Sequence, residues 1–191
     1  MVQEKITLRS KPSFDETFIL SSSQMMEKNV FVTVGTTEFV ELIKTATSDD
    51  ILKVLRNLGF TKVLLQIGRG SFEPESLCES QNPAVEYYRY KEEISDDIHS
   101  ADLVISHAGA GSVLDALGAG KPLLVVVNDQ LMSNHQVELA QRLYQDGYLH
   151  YCTCSTLKKT LETVDFSTLL PFPSGEPTKF AQHLDNIMGF V

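Results

Sequence analysis

Short apolar runs recur along the chain from residue 29 onward, and stretches with helical spacing lie between them. The runs are continuous rather than alternating, which is typical of parallel strands that are buried on both faces of a sheet. They predict strands over residues 30–34, 62–67, 85–90, 103–105, 123–127 and 148–151. The helical spacing predicts helices over residues 39–45, 51–58, 95–100, 112–117, 134–145, 156–164 and 178–188.

Strands that alternate with helices in this way favour a parallel sheet covered on both faces. We therefore predict an α/β fold with a doubly wound, mostly parallel, Rossmann-like sheet. Ligands of such sheets bind outside the carboxyl ends of the strands. Three loops that contain glycine, 35–37, 68–70 and 107–112, each follow a predicted strand. The sequence therefore predicts a binding site at the edge where these loops converge.

The chain is long enough for one domain with a real core. Its 191 residues are too few for two domains of ordinary size. Residues 1–26 are polar and weakly patterned, so we interpret them as a flexible leader before a domain at 27–191. The longest apolar run, 123–127, falls far short of the roughly 20 residues that span a bilayer. We expect no transmembrane segment of its own, and residues 18–20 are too short for the apolar core of a signal peptide.

The composition narrows the class of partner. Apolar residues make up 42% and charged residues 21% of the chain, and the net charge is −9. Nucleic acid is not an expected partner, because a negative chain repels its phosphates. Cys78, Cys152 and Cys154 are odd in number and lack metal-ligand spacing. These features predict a reduced, cytoplasmic protein without a metal site.

The loop 107–112 carries the most specific chemistry in the sequence. It joins a buried strand to a helix, so unpaired backbone amides and the positive end of the helix dipole favour an anion such as phosphate. Asp115, one turn into the helix, is placed to accept hydrogen bonds from ribose hydroxyls. The alternative is an ordinary strand-to-helix turn with Ser112 as the helix cap.

A dinucleotide fingerprint is a second interpretation of this loop. Gly109 and Gly111 match the first two glycines of G-x-G-x-x-G, and Asp129 lies twenty residues beyond Gly109. Leu114 occupies the third glycine position, and the loop lies in the middle of the chain. The match is therefore weak, although a nucleotide-linked oxidoreductase remains an alternative.

Other polar residues near the predicted edge have two interpretations each. His107 either contacts a ligand or bonds to a neighbouring carbonyl. Residues 134–136 (Asn134, His135 and Gln136) follow a buried strand, so they either begin a helix or bind a hydroxyl-rich ligand such as a sugar. The acidic residues at 92–93 and 96–97 are interpreted as a solvated face.

Five motifs occur in order along the chain. They are VFVTVGTT, LLQIGRG, YRYKEEISDDIHSADLVISHAGAGSVLDAL, GKPLLVVVND and MSNHQVELAQRLYQDGY. Together they closely resemble a known family, the short catalytic subunit of a two-component N-acetylglucosaminyltransferase that acts on dolichol-linked precursors of N-glycans. The resemblance covers residues 29–190, and the 101–147 block is more distantly similar to the donor half of GT-B glycosyltransferases.

The resemblance implies a donor site for UDP-GlcNAc and no metal or other cofactor. Each residue takes its role from its position in the motifs, and the uracil is expected near the backbone of Tyr90. The implied roles are diphosphate binding by Gly109, Ala110, Gly111 and Ser112, ribose binding by Asp115, sugar binding by Asn134, His135 and Gln136, and lining of the cleft toward the acceptor by Gly35 and Thr36.

The resemblance also implies a partner and a place. The partner is a membrane-anchored, acceptor-binding subunit, which recruits the chain to the cytosolic face of the endoplasmic reticulum. Residues 178–190 occupy the position of the helix that docks on it, unless their apolar stripe packs on their own domain.

The implied reaction is an inverting transfer of GlcNAc to a lipid-linked saccharide, GlcNAc-diphosphodolichol, with His107 as a candidate base. A non-catalytic recruiting subunit is the alternative.

Overall fold

The computed structural model describes residues 27–75, 82–129 and 135–173, with the side chains of residues 135 and 136 excluded. The leader 1–26, Asn134 and the predicted docking helix at 178–190 lie outside the described residues. The strands are β1 (Asn29–Thr33), β2 (Lys62–Gln66), β3 (Ala84–Tyr88), β4 (Leu103–His107), β5 (Leu123–Val127) and β6 (His150–Thr153). The helices are α1 (Val40–Ala46), α2 (Asp49–Asn57), α3 (Ser95–Ser100), α4 (Ala110–Gly118), α5 (His135–Gln145) and α6 (Leu157–Thr163), with short 3₁₀ turns at Cys154–Thr156 and Phe166–Thr168.

The described strands form one six-stranded sheet in the order β3-β2-β1-β4-β5-β6. Every neighbouring pair is parallel. The predicted doubly wound, Rossmann-like α/β fold is therefore confirmed. The direction of winding reverses between β1 and β4, and the crevice at such a reversal is where parallel sheets bind ligands.

Helices cover the sheet on both faces and produce two apolar layers. One layer joins side chains of α1, α2 and α6 to the sheet, and the other joins side chains of α3, α4 and α5 to the opposite face. All five residues of β5 are buried, which explains why its sequence is continuously apolar. In α2 the spacing of Ile51, Leu52, Val54 and Leu55 places these side chains on the buried face.

Several element boundaries near the carboxyl edge differ from the predicted ones. The helix α4 begins at Ala110 with Gly109 as its cap residue, so the prediction that Ser112 opens this helix is wrong. The strand β4 continues through His107 rather than ending at residue 105, so His107 is the last residue of the strand. The strand β3 ends at Tyr88 rather than at residue 90, and Tyr90 is 57% exposed. These changes alter the loops that border the crevice between β1 and β4.

The strand β6 begins at His150, two residues later than predicted. The backbone N–H of Tyr148 donates to the carbonyl of Leu143, and Gly147 has a φ of +80°, so the end of α5 continues through a turn to Tyr148. The aromatic ring of Tyr148 packs edge-on against Phe172, with ring centres 5.1 Å apart. Tyr148 is therefore part of the turn rather than of the strand.

Within the described part of the chain, no helix combines the length and apolarity that crossing a bilayer requires.

Candidate functional site

A cavity of about 300 Å³ opens at the carboxyl edge, where the winding of the sheet reverses. It lies among the ends of β1, β2, β3 and β4 and the first turns of α4. The residues that line it are Gly35, Thr36, Thr37, Gln66, Tyr90, Lys91, Glu92, Ile94, His107, Gly109, Gly111, Ser112 and Asp115. The cavity therefore brings together the first and third of the three glycine loops that the sequence singled out.

The first turn of α4 presents backbone donors to this cavity. The first internal hydrogen bond of the helix runs from the N–H of Val113 to the carbonyl of Gly109, at 3.1 Å. The amides of Ala110, Gly111 and Ser112 precede it, so they have no partner within the helix. Apart from its chain neighbours and the backbone of its own helix, nothing lies within 4 Å of the position that a Cβ at Gly111 would occupy, so the approach to this turn is open. The helix end can therefore bind an anion such as phosphate.

His107 is held between the two glycine loops. Its side chain lies so close to Gly109 that a Cβ at Gly109 would overlap the imidazole. A Cβ at Gly35, where φ is +61°, would lie 3.0 Å from the Cε1 atom of His107. The absence of side chains at these two positions therefore leaves room for the ring beside the cavity.

The environment of His107 favours the neutral imidazole. The residue is 8% exposed, and its Nδ1 atom is buried without a hydrogen-bond partner among the described residues. Burial lowers the pKa of His107 below its ordinary value, and the nearby backbone of Thr33 offsets only part of this shift. A neutral imidazole at neutral pH can accept a proton, which is what a general base requires.

Three buried polar side chains lie at or next to the carboxyl ends of β1, β2 and β4, and together they are called the floor of the site. Of the three, Gln66 lines the cavity itself, and the sequence analysis missed all of them. Thr33, Gln66 and Ser106 are each no more than 1% exposed, and strand register places Thr33 beside both of the others. With His107, they are the buried polar residues of the described ranges 27–75, 82–129 and 137–173. The sequence contains one signal for these residues, since each is a polar residue at the end of an otherwise apolar strand. Only the strand register shows that the three are neighbours.

A latch holds the loop that follows β3 and borders the cavity. The hydroxyl of Tyr88 donates to Asp97 at 2.6 Å, and the Nζ atom of Lys91 lies 2.9 Å from both carboxylate oxygens of Asp97. The Asp97 side chain is 11% exposed, so its assignment to a solvated acidic face is wrong. The sequence pattern misled because two adjacent acidic residues in the first turn of a short helix are usually exposed.

The structure places most of the predicted site residues together. Those that line the cavity are Gly35, Thr36, His107, Gly109, Gly111, Ser112 and Asp115. Ala110 is exposed beside the cavity and contributes its backbone amide. His135 and Gln136 begin α5, and only their backbone is described, while Asn134 lies outside the described residues.

Among the residues that the structure describes, no group of three or more His, Cys, Asp or Glu side chains lies close enough together to hold a metal ion. Cys152 and Cys154 are buried thiols, and burial raises the pKa of Cys152 to about 12 and that of Cys154 to about 11. Both are therefore uncharged at neutral pH, which fits a packing role.

A family profile and individual relatives of known sequence both identify the same family for this chain. The profile of the glycosyltransferase family 28 C-terminal domain matches residues 29–186. UDP-N-acetylglucosamine transferase subunit ALG13 of Homo sapiens is 52% identical over 130 residues, which cover 68% of this chain and 11% of that protein. The ALG13 subunit of Saccharomyces cerevisiae is 34% identical, and the match covers 83% of this chain and 95% of that protein.

Solved structures with the same fold include two of special relevance. The NMR solution structure of ALG13 has a TM-score of 0.61 and 31% identity, and the match covers 83% of this chain and 95% of that one. The crystal structure of MurG from Acinetobacter baumannii has a TM-score of 0.54 and 19% identity, over 75% of this chain and 43% of that one. The second likeness concerns the fold alone, and it extends over less than half of that chain.

Proposed function

The chain belongs to the glycosyltransferase family 28 C-terminal domain family, and we propose that it is the donor-binding and catalytic subunit of a UDP-N-acetylglucosamine transferase. The observation that carries the proposal is the open first turn of α4 at the reversal point of the sheet, beside Asp115 and His107. This turn offers amide donors where a diphosphate is needed, and Asp115 offers an exposed carboxylate within the same cavity.

UDP-GlcNAc is the proposed donor substrate, and no metal or other cofactor takes part. The amides of Ala110, Gly111 and Ser112 bind the diphosphate beside Gly109, whose own N–H donates to the carbonyl of His107 at 2.7 Å. Asp115 accepts hydrogen bonds from the ribose hydroxyls. The uracil lies near the backbone of Tyr90, at the end of the cavity that the loop after β3 forms. Asn134, His135 and Gln136 bind the sugar, and Gly35 and Thr36 line the cleft toward the acceptor.

The proposed reaction is a displacement with inversion at the anomeric carbon. The acceptor hydroxyl forms a bond to this carbon while the bond to the β-phosphate oxygen breaks, and UDP leaves with the electron pair. The dipole of α4 stabilises the charge that develops on the β-phosphate by up to about 2 kcal/mol, which is roughly thirtyfold in rate. The oriented amide donors and the positioning of both substrates supply the rest.

The proton of the acceptor hydroxyl must pass to a base, and His107 is the candidate within this chain. It lines the cavity, and its lowered pKa keeps the imidazole neutral. The assignment of His107 rests on its position in the cavity and on its neutral state. The alternative is a base that the acceptor-binding partner supplies.

The proposed acceptor is GlcNAc-diphosphodolichol, and the proposed partner is a membrane-anchored subunit that binds it. The human and yeast ALG13 relatives are named as subunits of a UDP-N-acetylglucosamine transferase, which supports a partner for this chain as well. The chain is then recruited from the cytoplasm to the cytosolic face of the endoplasmic reticulum. Residues 178–190 are the proposed docking segment.

An amide NMR titration of the full chain with UDP-GlcNAc tests the donor site, with UDP-glucose and NADH as matched controls. We expect shifts in Gly35, Gly109–Ser112 and Asp115 that are largest with UDP-GlcNAc. Larger shifts with NADH would favour a nucleotide-linked oxidoreductase. Absence of shifts with all three ligands would contradict a donor site in this chain.

Transfer assays with the membrane partner separate a catalytic subunit from a recruiting one. If the chain is catalytic, variants in the loop 107–115 abolish transfer in the reconstituted pair. If it only recruits its partner, these variants retain full transfer, and the catalytic part of the proposal fails.

A further inference from the structure

The floor of the site contains a directional chain of hydrogen bonds. The backbone N–H of Gly35 donates to the Oγ1 atom of Thr33 at 2.9 Å, and the hydroxyl of Thr33 donates to the Oε1 atom of Gln66 at 2.6 Å. Thr33 and Gln66 face each other across the β1–β2 register. Thr33 thus links the turn after β1 to the end of β2.

In this chain the Gln66 amide directs its oxygen toward Thr33. The Thr33 hydroxyl accepts from Gly35 and gives its single proton to the Gln66 oxygen, which is the acceptor of that bond. The group that Gln66 can offer to the cavity is then its NH₂, which is a donor only. Gln66 is 1% exposed and lines the cavity, so this donor lies on a buried strand end beside the ligand space.

We propose that Gln66 is a further donor-substrate contact, whose side-chain NH₂, held in place by Thr33, donates to an oxygen of the bound nucleotide sugar. The inference rests on the function proposed above. It adds Gln66, at the end of β2, to the loops after β1 and β4 that already have proposed roles. An amide on a buried strand end is well suited to this role, because its direction is set before the ligand arrives. A nucleotide sugar offers acceptor oxygens on its phosphates, its hydroxyls and its acetamido group.

Two substitutions separate contact with the donor from support of Thr33. Gln66→Met removes both functions at similar volume, whereas Gln66→Glu retains an acceptor for Thr33 and removes the NH₂. We expect each variant to raise the Kd for UDP-GlcNAc by about tenfold or more, which corresponds to about 1.4 kcal/mol. The matched control is Gln141→Met, an exposed glutamine on α5, with the Kd of the wild type.

The Kd of each Gln66 variant for UDP-GlcNAc either supports or overturns the proposal. An unchanged Kd in Gln66→Met overturns it. Recovery of wild-type affinity in Gln66→Glu also overturns it, because the residue would then serve only to hold Thr33. Thermal unfolding of each variant is recorded beside the affinity, so a loss of fold is recognised.

Thr33 provides a second, independent pair of variants. Thr33→Ser keeps the hydroxyl, and we expect its Kd to stay within about twofold of the wild type. Thr33→Val removes it and releases the Gln66 amide, so the Kd is expected to rise severalfold. Equal affinity of Thr33→Val and Thr33→Ser would contradict the positioning role of Thr33.

A measurement on the unmodified chain avoids any problem of folding. The side-chain NH₂ resonances of Gln66 are followed by NMR during titration with UDP-GlcNAc, beside the backbone amides of 109–112. Shifts of both sets support the proposal. Backbone shifts without a change at the Gln66 NH₂ overturn this inference alone, whereas absence of all shifts contradicts the donor site itself.

Discussion

The imidazole of His107 occupies the space that a side chain at Gly109 would need. A Cβ at Gly109 would overlap the ring, although the backbone there, with φ of −81° and ψ of 124°, permits any residue. The requirement for glycine at this position therefore comes from packing and not from backbone strain. At Gly35, on the other side of the ring, φ is +61°, so both packing and conformation favour glycine.

Gly109→Ala is expected to displace His107 and to lower the free energy of unfolding by about 1–3 kcal/mol, the usual range for overpacking. Gly111→Ala is the matched control, because nothing lies within 4 Å of a Cβ there. Chemical denaturation of both variants measures the difference. Adding His107→Ala to Gly109→Ala should restore part of the lost stability, and strictly additive effects would refute the packing explanation.

Gly111→Val tests whether the open first turn of α4 holds the ligand. A Cβ at Gly111 points into open space, with no neighbour within 4 Å beyond its own helix and chain neighbours. The fold is therefore expected to persist while the branched group obstructs the amides at the helix end. We expect the Kd for UDP-GlcNAc to rise at least tenfold. Gly118→Val, at the other end of the same helix and equally free of neighbours, is the control. Equal loss of affinity in both variants would point to a general effect on the helix.

Asp115→Ala is expected to weaken donor binding and to abolish transfer in the reconstituted pair without unfolding the chain. Asp115 is exposed, so its removal leaves no buried group unpaired. A hydrogen bond to a charged group contributes about 1.5–3 kcal/mol, which is roughly ten- to a hundredfold in affinity. Glu162→Ala, an exposed carboxylate on α6, is the control. Transfer at the wild-type rate by Asp115→Ala would show that the donor-site assignment is wrong.

The sheet was predictable from the sequence because parallel strands are buried on both faces. The strand β5 has five consecutive apolar residues, three of them β-branched valines, which is typical of a strand buried on both faces. The two glycine loops that meet at the cavity were predictable for a related reason. Loops that follow parallel strands lie at one edge, whatever the order of the strands.

The floor of the site was not predictable, because it depends on which strands are neighbours. Thr33, Gln66 and Ser106 are far apart in the chain, and each looks like the end of an apolar run. Strand order places β2, β1 and β4 side by side, and register then aligns the three polar residues. The partly buried position of Asp97 was not predictable for a similar reason, since its partner Tyr88 lies on another element.

Asp97→Asn tests the latch on the loop after β3. The substitution removes the charge that Lys91 contacts and weakens the bond from Tyr88, and we expect a loss of about 1–2 kcal/mol of stability. The Lys91 side chain is 46% exposed, so the ion pair itself contributes less than the bond to Tyr88. Because the loop borders the cavity, the Kd for UDP-GlcNAc should also rise. Asp96→Asn, exposed on the same helix, is the control, and equal behaviour of the two variants would rule out the latch.

Burial of His107 also predicts how stability depends on pH. In the folded chain its pKa is lowered, mainly by burial, whereas in the unfolded chain it has its ordinary value of about 6.5. Between these two values the unfolded state binds more protons, so stability falls as the pH falls through this window. His107→Gln should therefore flatten the dependence of the unfolding free energy on pH below about 6.5.

His150 requires a control, because burial lowers its pKa as well. His150→Gln removes its share of the same slope, and the variant with both substitutions should have the flattest profile. An NMR titration of the His107 imidazole separates the two residues directly. A pKa for His107 at or above the ordinary value would contradict the buried, neutral ring. It would also remove the reason for assigning His107 as the base, since a protonated imidazole at neutral pH cannot accept the proton of the acceptor hydroxyl.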